Sequence, residues 1–164
     1  MKPAFRANGT ITPAASSANA DGAAALVIAK RALADREGLP ALAEIKAHAT
    51  HSQEPQWFTT APIPAIRKVL DKAGWSVGDV DLFEINEAFA VVAMAAQRDL
   101  GIPRYKLNIN GGACALGHPI GATGARLIVT LLHAMEANNL RRGVAALCIG
   151  GGEATAIAIE RVAA

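Results

Sequence analysis

The chain has 164 residues, 52% hydrophobic and 18% charged, which fits one domain, or one domain plus a fragment of another, and excludes intrinsic disorder. Sixteen Lys and Arg against 14 Asp and Glu leave a net charge of +2, and the basic residues are scattered, so no nucleic-acid partner is expected. The longest apolar runs, Gly22 to Ala29 and Ala88 to Ala96, fall far short of the roughly 20 residues that span a bilayer, so no membrane partner is expected either.

Aromatics are only 4%, and the apolar weight lies on Ala, Val, Ile and Leu beside 15 glycines, which points to close helix–sheet packing. The opening MKPAFRANGT lacks the apolar stretch of a secretory leader, and Cys114 and Cys148 form no CxxC pair. A reducing, cytoplasmic setting is the expectation.

In chain order, residues 8–21 are small and turn-forming and read as loop. Gly22 to Ala29 is strand-like in length, and Lys30 to Glu37 fits a short helix stopped by Gly38 and Pro40. This opening, residues 1–40, is assigned to a different structural unit from residues 41–164. From Ala43 to Ala49 the period-2 alternation predicts a half-exposed strand. Residues 50–61 are irregular. Ile63, Ile66, Leu70 and Ala73 then share one helical face, and Gly74 is placed to end that helix.

Val80 to Ile85 reads as a strand, and Asn86 as the N-cap of a helix over Glu87 to Asp99 that is apolar round most of its circumference and so expected to be buried. Leu107 to Asn110 is a short strand before a glycine-rich loop. Gly124, Leu127, Ile128, Leu131, Leu132 and Met135 mark one face of a long helix. Val144 to Ile149 is a strand, Gly150-Gly151-Gly152 a turn, and Ala154 to Glu160 a returning strand. The order β-α-β-α-β-α-β-β predicts an α/β fold: a mostly parallel sheet, helices on both faces, and an antiparallel last strand.

Ligands of such sheets bind beyond the carboxyl ends of the parallel strands. Asn86, His118 and Cys148 all map to that edge, each following or ending a different strand. Each also has a plain structural reading: Asn86 as a helix cap, His118 as a loop residue held extended by Pro119, Cys148 as a small core residue. Glu87 reads as structural, favoured by the helix dipole. Cys114 reads as core, His48 and His51 as exposed strand or loop residues, and His133 as a helix-face residue. The loop GGACALGHPIGATG is neither a Walker A nor a GxGxxG cradle, and His118, Cys114 and Cys148 lack the short spacing of metal ligands, so no metal is expected.

Three motifs carry a resemblance. Asn86-Glu87-Ala88-Phe89, the loop GGACALGHPIGATG at residues 111–124, and Cys148-Ile149-Gly150-Gly151-Gly152 resemble, in order and spacing, the NEAF, GHP and CxGGG signatures of thiolases. The resemblance runs from residue 2 to the end. It implies the C-terminal half of a thiolase, with residues 1–40 the tail of the loop region and N-terminal domain. It implies an acyltransferase that joins two acetyl-CoA molecules or cleaves a 3-ketoacyl-CoA with CoA. No permanently bound cofactor is implied; the CoA thioester is the substrate.

Carried over by position, His118 would take the proton of a nucleophilic cysteine and Cys148 would be the second base. Asn86 would hold a water that completes, with His118, an oxyanion hole for the enolate, and the Gly150 N–H would serve a second one. Ser17 would lie beside the pantetheine arm, and Ala88 and Phe89 would line the acyl pocket. Glu153-Ala154 departs from the family pattern, which has a small or uncharged residue and Gly there. The nucleophilic cysteine belongs to the N-terminal half, and no residue here matches it. The chain alone is therefore expected to be inactive: a folded fragment, or one half of a split enzyme whose partner is the N-terminal half. The full-length enzyme is expected to be a homo-oligomer.

Overall fold

The computed structural model describes residues 1–162; the last two residues of the predicted 41–164 unit lie outside it. Four strands, β1 (Ala43–Ser52), β2 (Leu82–Ile85), β3 (Arg142–Ile149) and β4 (Glu153–Arg161), form one sheet in the order β1-β4-β3-β2. Five helices accompany it: α1 (Arg31–Arg36), α2 (Pro62–Ala73), α3 (Ala90–Leu100), the single turn α4 (Ala113–Leu116) and α5 (Thr123–Ala137).

The α/β class, the helices on both faces and the antiparallel last strand are as predicted, but the sheet is mixed rather than mostly parallel. β1, β2 and β3 point the same way, yet only β2 and β3 are parallel neighbours. After β3 the chain reverses through Gly150–Gly152, and β4 returns into the gap between β3 and β1, making both of those pairings antiparallel. The reversal depends on Gly152: its φ is +101°, and a Cβ there would collide with the carbonyl oxygen of Gln53, whose N–H donates to the Gly152 carbonyl at 3.0 Å.

Two further predicted strands are absent as ladders. Leu107 makes one parallel bridge to Phe83, after which Asn108 turns left-handed at φ +46° and ends the pairing. Gly22 to Ala29 carries no regular secondary structure, and no strand among the described residues pairs with it.

The strands' alternating side chains divide the core in two. On one face, α2 and α3 bury Ile66, Val69, Val92 and Ala96 against Phe83, Ile85, Val144 and Ala156. On the other, α5 buries Leu127, Leu131 and Met135 against Leu82, Ala145 and Ile159. Helix α2 follows its predicted apolar face and ends at Gly74 in the left-handed conformation. Helix α3 does not follow its prediction: it starts at Ala90, and only Val92, Ala93 and Ala96 are buried, while Val91 and Met94 face outward.

Candidate functional site

Asn86 extends β2 by one residue. Its N–H donates to the Ala146 carbonyl at 2.9 Å, continuing the parallel register that sets Ile85 beside Ala146. It lies just past the end of β2, 1% exposed, and is not the cap of α3; Phe89 holds that position, with no side-chain cap bond. A strand partner for the backbone outcompetes the local capping preference of the asparagine side chain.

His118 lies in the loop between α4 and α5, and its N–H donates to the Ala18 carbonyl at 2.9 Å. Its ring is fixed at both nitrogens. Nδ1 is 2.7 Å from Thr123 Oγ1, and that hydroxyl donates its one proton to the Pro119 carbonyl at 3.0 Å. With its proton so placed, the hydroxyl accepts from His118, an arrangement in which Nδ1 carries the ring proton and Nε2 is left with its lone pair. Asn86 Nδ2 stands 3.4 Å from Nε2. Burial holds the His118 pKa below its ordinary value, and the nearby Arg126 charge adds to the effect, so the imidazole is neutral at pH 7.

Cys148 is the next-to-last residue of β3 and is buried. The register that seats Asn86 beside β3 puts both at the same edge of the sheet. Burial pushes the thiol above its ordinary pKa, away from the near-neutral value a two-way proton carrier would favour, so it stands protonated. Among the described residues its Sγ makes no hydrogen bond to His118 or Asn86. Gly150 follows in the exposed turn.

The opening segment closes over this edge. Ser17 donates to the Ala88 carbonyl through both N–H, at 3.1 Å, and Oγ, at 3.0 Å. Ser16 bridges to Phe89 and Asn19 to His118. The Phe89 ring meets Phe5 and Phe58 edge-on, at 5.7 and 6.2 Å. A groove of about 400 Å³ opens beside His118, between residues 20–24 and 119–122.

Glu87 is structural, but not through the dipole of α3, which begins three residues later. Its carboxylate accepts from the Cys114 N–H at 3.1 Å, at the start of α4, and from Asn108 Nδ2 at 2.9 Å. A Cβ on Gly112 would overlap that carboxylate, so only glycine lets the loop lie this close. Cys114 is half-buried rather than a core residue; burial and Glu87 together raise its pKa, so its thiol is protonated. His48 and His133 are exposed, and His51 Nδ1 lies 3.1 Å from Lys68 Nζ at the surface, away from the site. No group of three or more His, Cys, Asp or Glu among the described residues is arranged to hold a metal.

Four residues of this region went unread in the sequence. Asn108 turns its side-chain amide into a substitute strand: Oδ1 accepts from the Ile85 N–H at 2.8 Å and Nδ2 donates to the Ile85 carbonyl at 2.9 Å. Thr123 orients His118. Glu84, 2% exposed on β2, faces Arg126 of α5 at 3.7 Å. The signals were available: a lone carboxylate inside a fully apolar strand, and an arginine in the first turn of an otherwise apolar helix.

A model of the thiolase C-terminal domain matches residues 39–161. The chain belongs to the thiolase family. It is 50% identical over 161 residues to an acetyl-CoA acetyltransferase of Paracoccus denitrificans and 52% identical over 163 residues to the cytosolic acetyl-CoA acetyltransferase of Mus musculus. Each alignment covers 98% of this chain and 41% of the relative. The crystal structure of the Bacillus anthracis acetyl-CoA acetyltransferase superposes with a TM-score of 0.95 at 44% identity. Human mitochondrial 3-ketoacyl-CoA thiolase, in complex with CoA, superposes at 0.91 and 37%. These too cover 98% of this chain and 41% of the solved one. The chain thus spans about two fifths of the length of the thiolases it matches, their C-terminal part.

Proposed function

We propose that this chain supplies the C-terminal half of the active site of a CoA-dependent acyltransferase of the acetyl-CoA acetyltransferase kind. The observation that carries the reading is the Asn86–His118 pair, hydrogen-bonded beside the end of β3 where Cys148 lies. With Nδ1 committed to Thr123, His118 offers Nε2 as a base. In the proposed reaction it takes the thiol proton of a cysteine from the N-terminal half, and the resulting thiolate attacks the acyl carbonyl.

Cys148, protonated in its buried position, would return a proton to the enolate of acetyl-CoA as the 3-ketoacyl chain is cleaved; in condensation it would remove that proton. A water held by Asn86 would, together with His118, stabilise the enolate oxygen, and the Gly150 N–H the tetrahedral oxyanion. One such donor contributes ~3 kcal/mol to the transition state. Ser17, Ala88 and Phe89, which the structure clusters beside the pair, would flank the thioester arm and acyl group.

The substrates are CoA and acyl-CoA, with no resident cofactor. The partner is the N-terminal thiolase half, whether in the same polypeptide or another. Residues 1–40 would pack with that half, residues 41–164 forming the C-terminal domain, and the complete enzyme would be a homo-oligomer. A cytoplasmic location rests on the cytosolic mouse relative. Exposed Val27, Ile28 and Ile120 support the need for a covering partner.

The test is thiolysis of acetoacetyl-CoA, followed by loss of substrate absorbance. The chain alone should show no turnover. Mixed or fused with an N-terminal thiolase half it should turn over, and His118→Ala should remove that activity. Turnover by the chain alone that Cys114→Ala abolishes would refute the assignment and make Cys114 the nucleophile.

A further inference from the structure

Two groups that orient His118 are free to turn around. The Thr123 hydroxyl can rotate, to donate to Nδ1 instead of accepting from it. The Asn86 amide can flip, to offer Oδ1 to Nε2 instead of Nδ2. Turned together, they would favour the opposite tautomer, with the proton on Nε2 and no base at that nitrogen. Something must break the tie.

Glu84 and Asn86 are two residues apart along β2 and its extension, so they share one face of the sheet. Arg126, in the first turn of α5, reaches both. Nη1 faces Glu84 Oε2 at 3.7 Å, and Nη2 faces Asn86 Oδ1 at 3.5 Å. A guanidinium has donors and no acceptor, so it tolerates only the amide oxygen. Nη1 and Glu84 Oε2 are buried and have no other polar partner among the described residues. They are committed to one another.

We propose that Arg126, anchored by Glu84, is a positioning residue that locks the Asn86 amide with Oδ1 turned away from His118, and so holds the His118 proton on Nδ1. The geometry stands by itself; its consequence for catalysis rests on the function proposed above. The raised pKa of Glu84, about 7 because burial outweighs the attraction of Arg126, shows how dry the anchor is. The same Arg126 charge helps keep His118 neutral. The fork adds to this charge a fixed amide orientation, and Arg126→Lys, which keeps the charge, separates the two.

The experiment is long-range proton–nitrogen correlation spectroscopy of the 164-residue chain labelled with ¹⁵N-histidine, at a pH where His118 is neutral. His48, His51 and His133 are internal references. The unaltered chain should report Nδ1–H at His118. Arg126→Met should lose that preference, with a tautomer ratio at least tenfold lower, while the three references stay put. Arg126→Lys keeps the charge but cannot span Glu84 and Asn86 together, and should resemble Arg126→Met. The double variant Glu84→Leu/Arg126→Met removes both buried charges and should fold even if Arg126→Met alone does not; it too should lose the preference. An unchanged Nδ1–H tautomer in the folded Met or double variant, or in Arg126→Lys, overturns the proposal. The readout needs no turnover. A tautomer shift without any thiolysis in the complemented enzyme would sink the functional reading and leave this inference standing, and the reverse pattern would do the opposite.

Discussion

From residue 1 to residue 42 a single side chain, Ala34, is buried, whereas every strand from β1 onward contributes to a core. The opening carries apolar residues all the same: Phe5, Leu33, Leu39 and Leu42 are exposed, and Val27 is 96% exposed. Its fixed points include bonds to the site loops at Ser16, Ser17, Ala18 and Asn19, the Phe5–Phe89 ring contact and the exposed Arg31–Glu44 ion pair. Residues 43–161 pack on themselves; the opening has the composition of a buried segment without the burial. Stability should reside in the first region and solubility should be decided by the second.

Three changes would break or sharpen that contrast. Phe83 is fully buried between β3 and the α2–α3 layer, and Phe83→Ala should cost about 3–5 kcal/mol in chemical denaturation, enough to unfold a marginal domain. Glu84 should make the body's stability depend on pH. Folded, its pKa is pushed up to about 7 from the ordinary 4.5. Between those values the folded state binds more protons than the unfolded, so this contribution is fully present below pH 4.5 and is lost as the pH rises through 7. The loss is on the order of 3 kcal/mol, and Glu84→Gln should remove that fall. His118, its pKa lowered, works in the other direction, so stability in the Gln variant should rise gently toward pH 6.5. The smallest effect belongs to the opening. Val27→Ser with Ile28→Ser should change unfolding stability by less than about 0.5 kcal/mol, yet should reduce self-association in light scattering.

What the sequence disclosed followed from local pattern. The α2 face, the Gly74 stop and the glycine turn before β4 each need only neighbouring residues, and each is present in the structure. The β1 alternation holds only in part: a register shift between Ile45 and Ala47 leaves Ile45 48% exposed, although its place in the alternation predicted it inward. What it hid depends on distant partners. Asn86 has the look of a cap until Ala146 claims its N–H. The apolar circumference of α3 predicts burial, but among the described residues only part of it packs, against α2 and residues 55–60, leaving Met94 outside. The sheet order could not be seen because nothing local says that β4 lies against β1. Of the site, Asn86, His118 and Cys148 were legible from their placement at one sheet edge and from motif resemblance. The residues that hold them, Asn108, Thr123, Glu84 and Arg126, were not, since their roles exist only once β2, the glycine loop and α5 meet.

The place of β4 has a consequence for biosynthesis. Ala43 pairs with Arg161, far along the chain, and β4 lies inside the sheet as the strand that, among the described residues, pairs with β1 and joins it to β3. It is also the last of the four strands to be translated. Until it emerges, β1 and β3 each present an unpaired edge, and β2 and β3 alone make a two-stranded ribbon too small to persist. The domain cannot assemble piece by piece as it is translated. Its sheet closes in one late step, and until then the nascent chain exposes strand edges of the kind that chaperones protect.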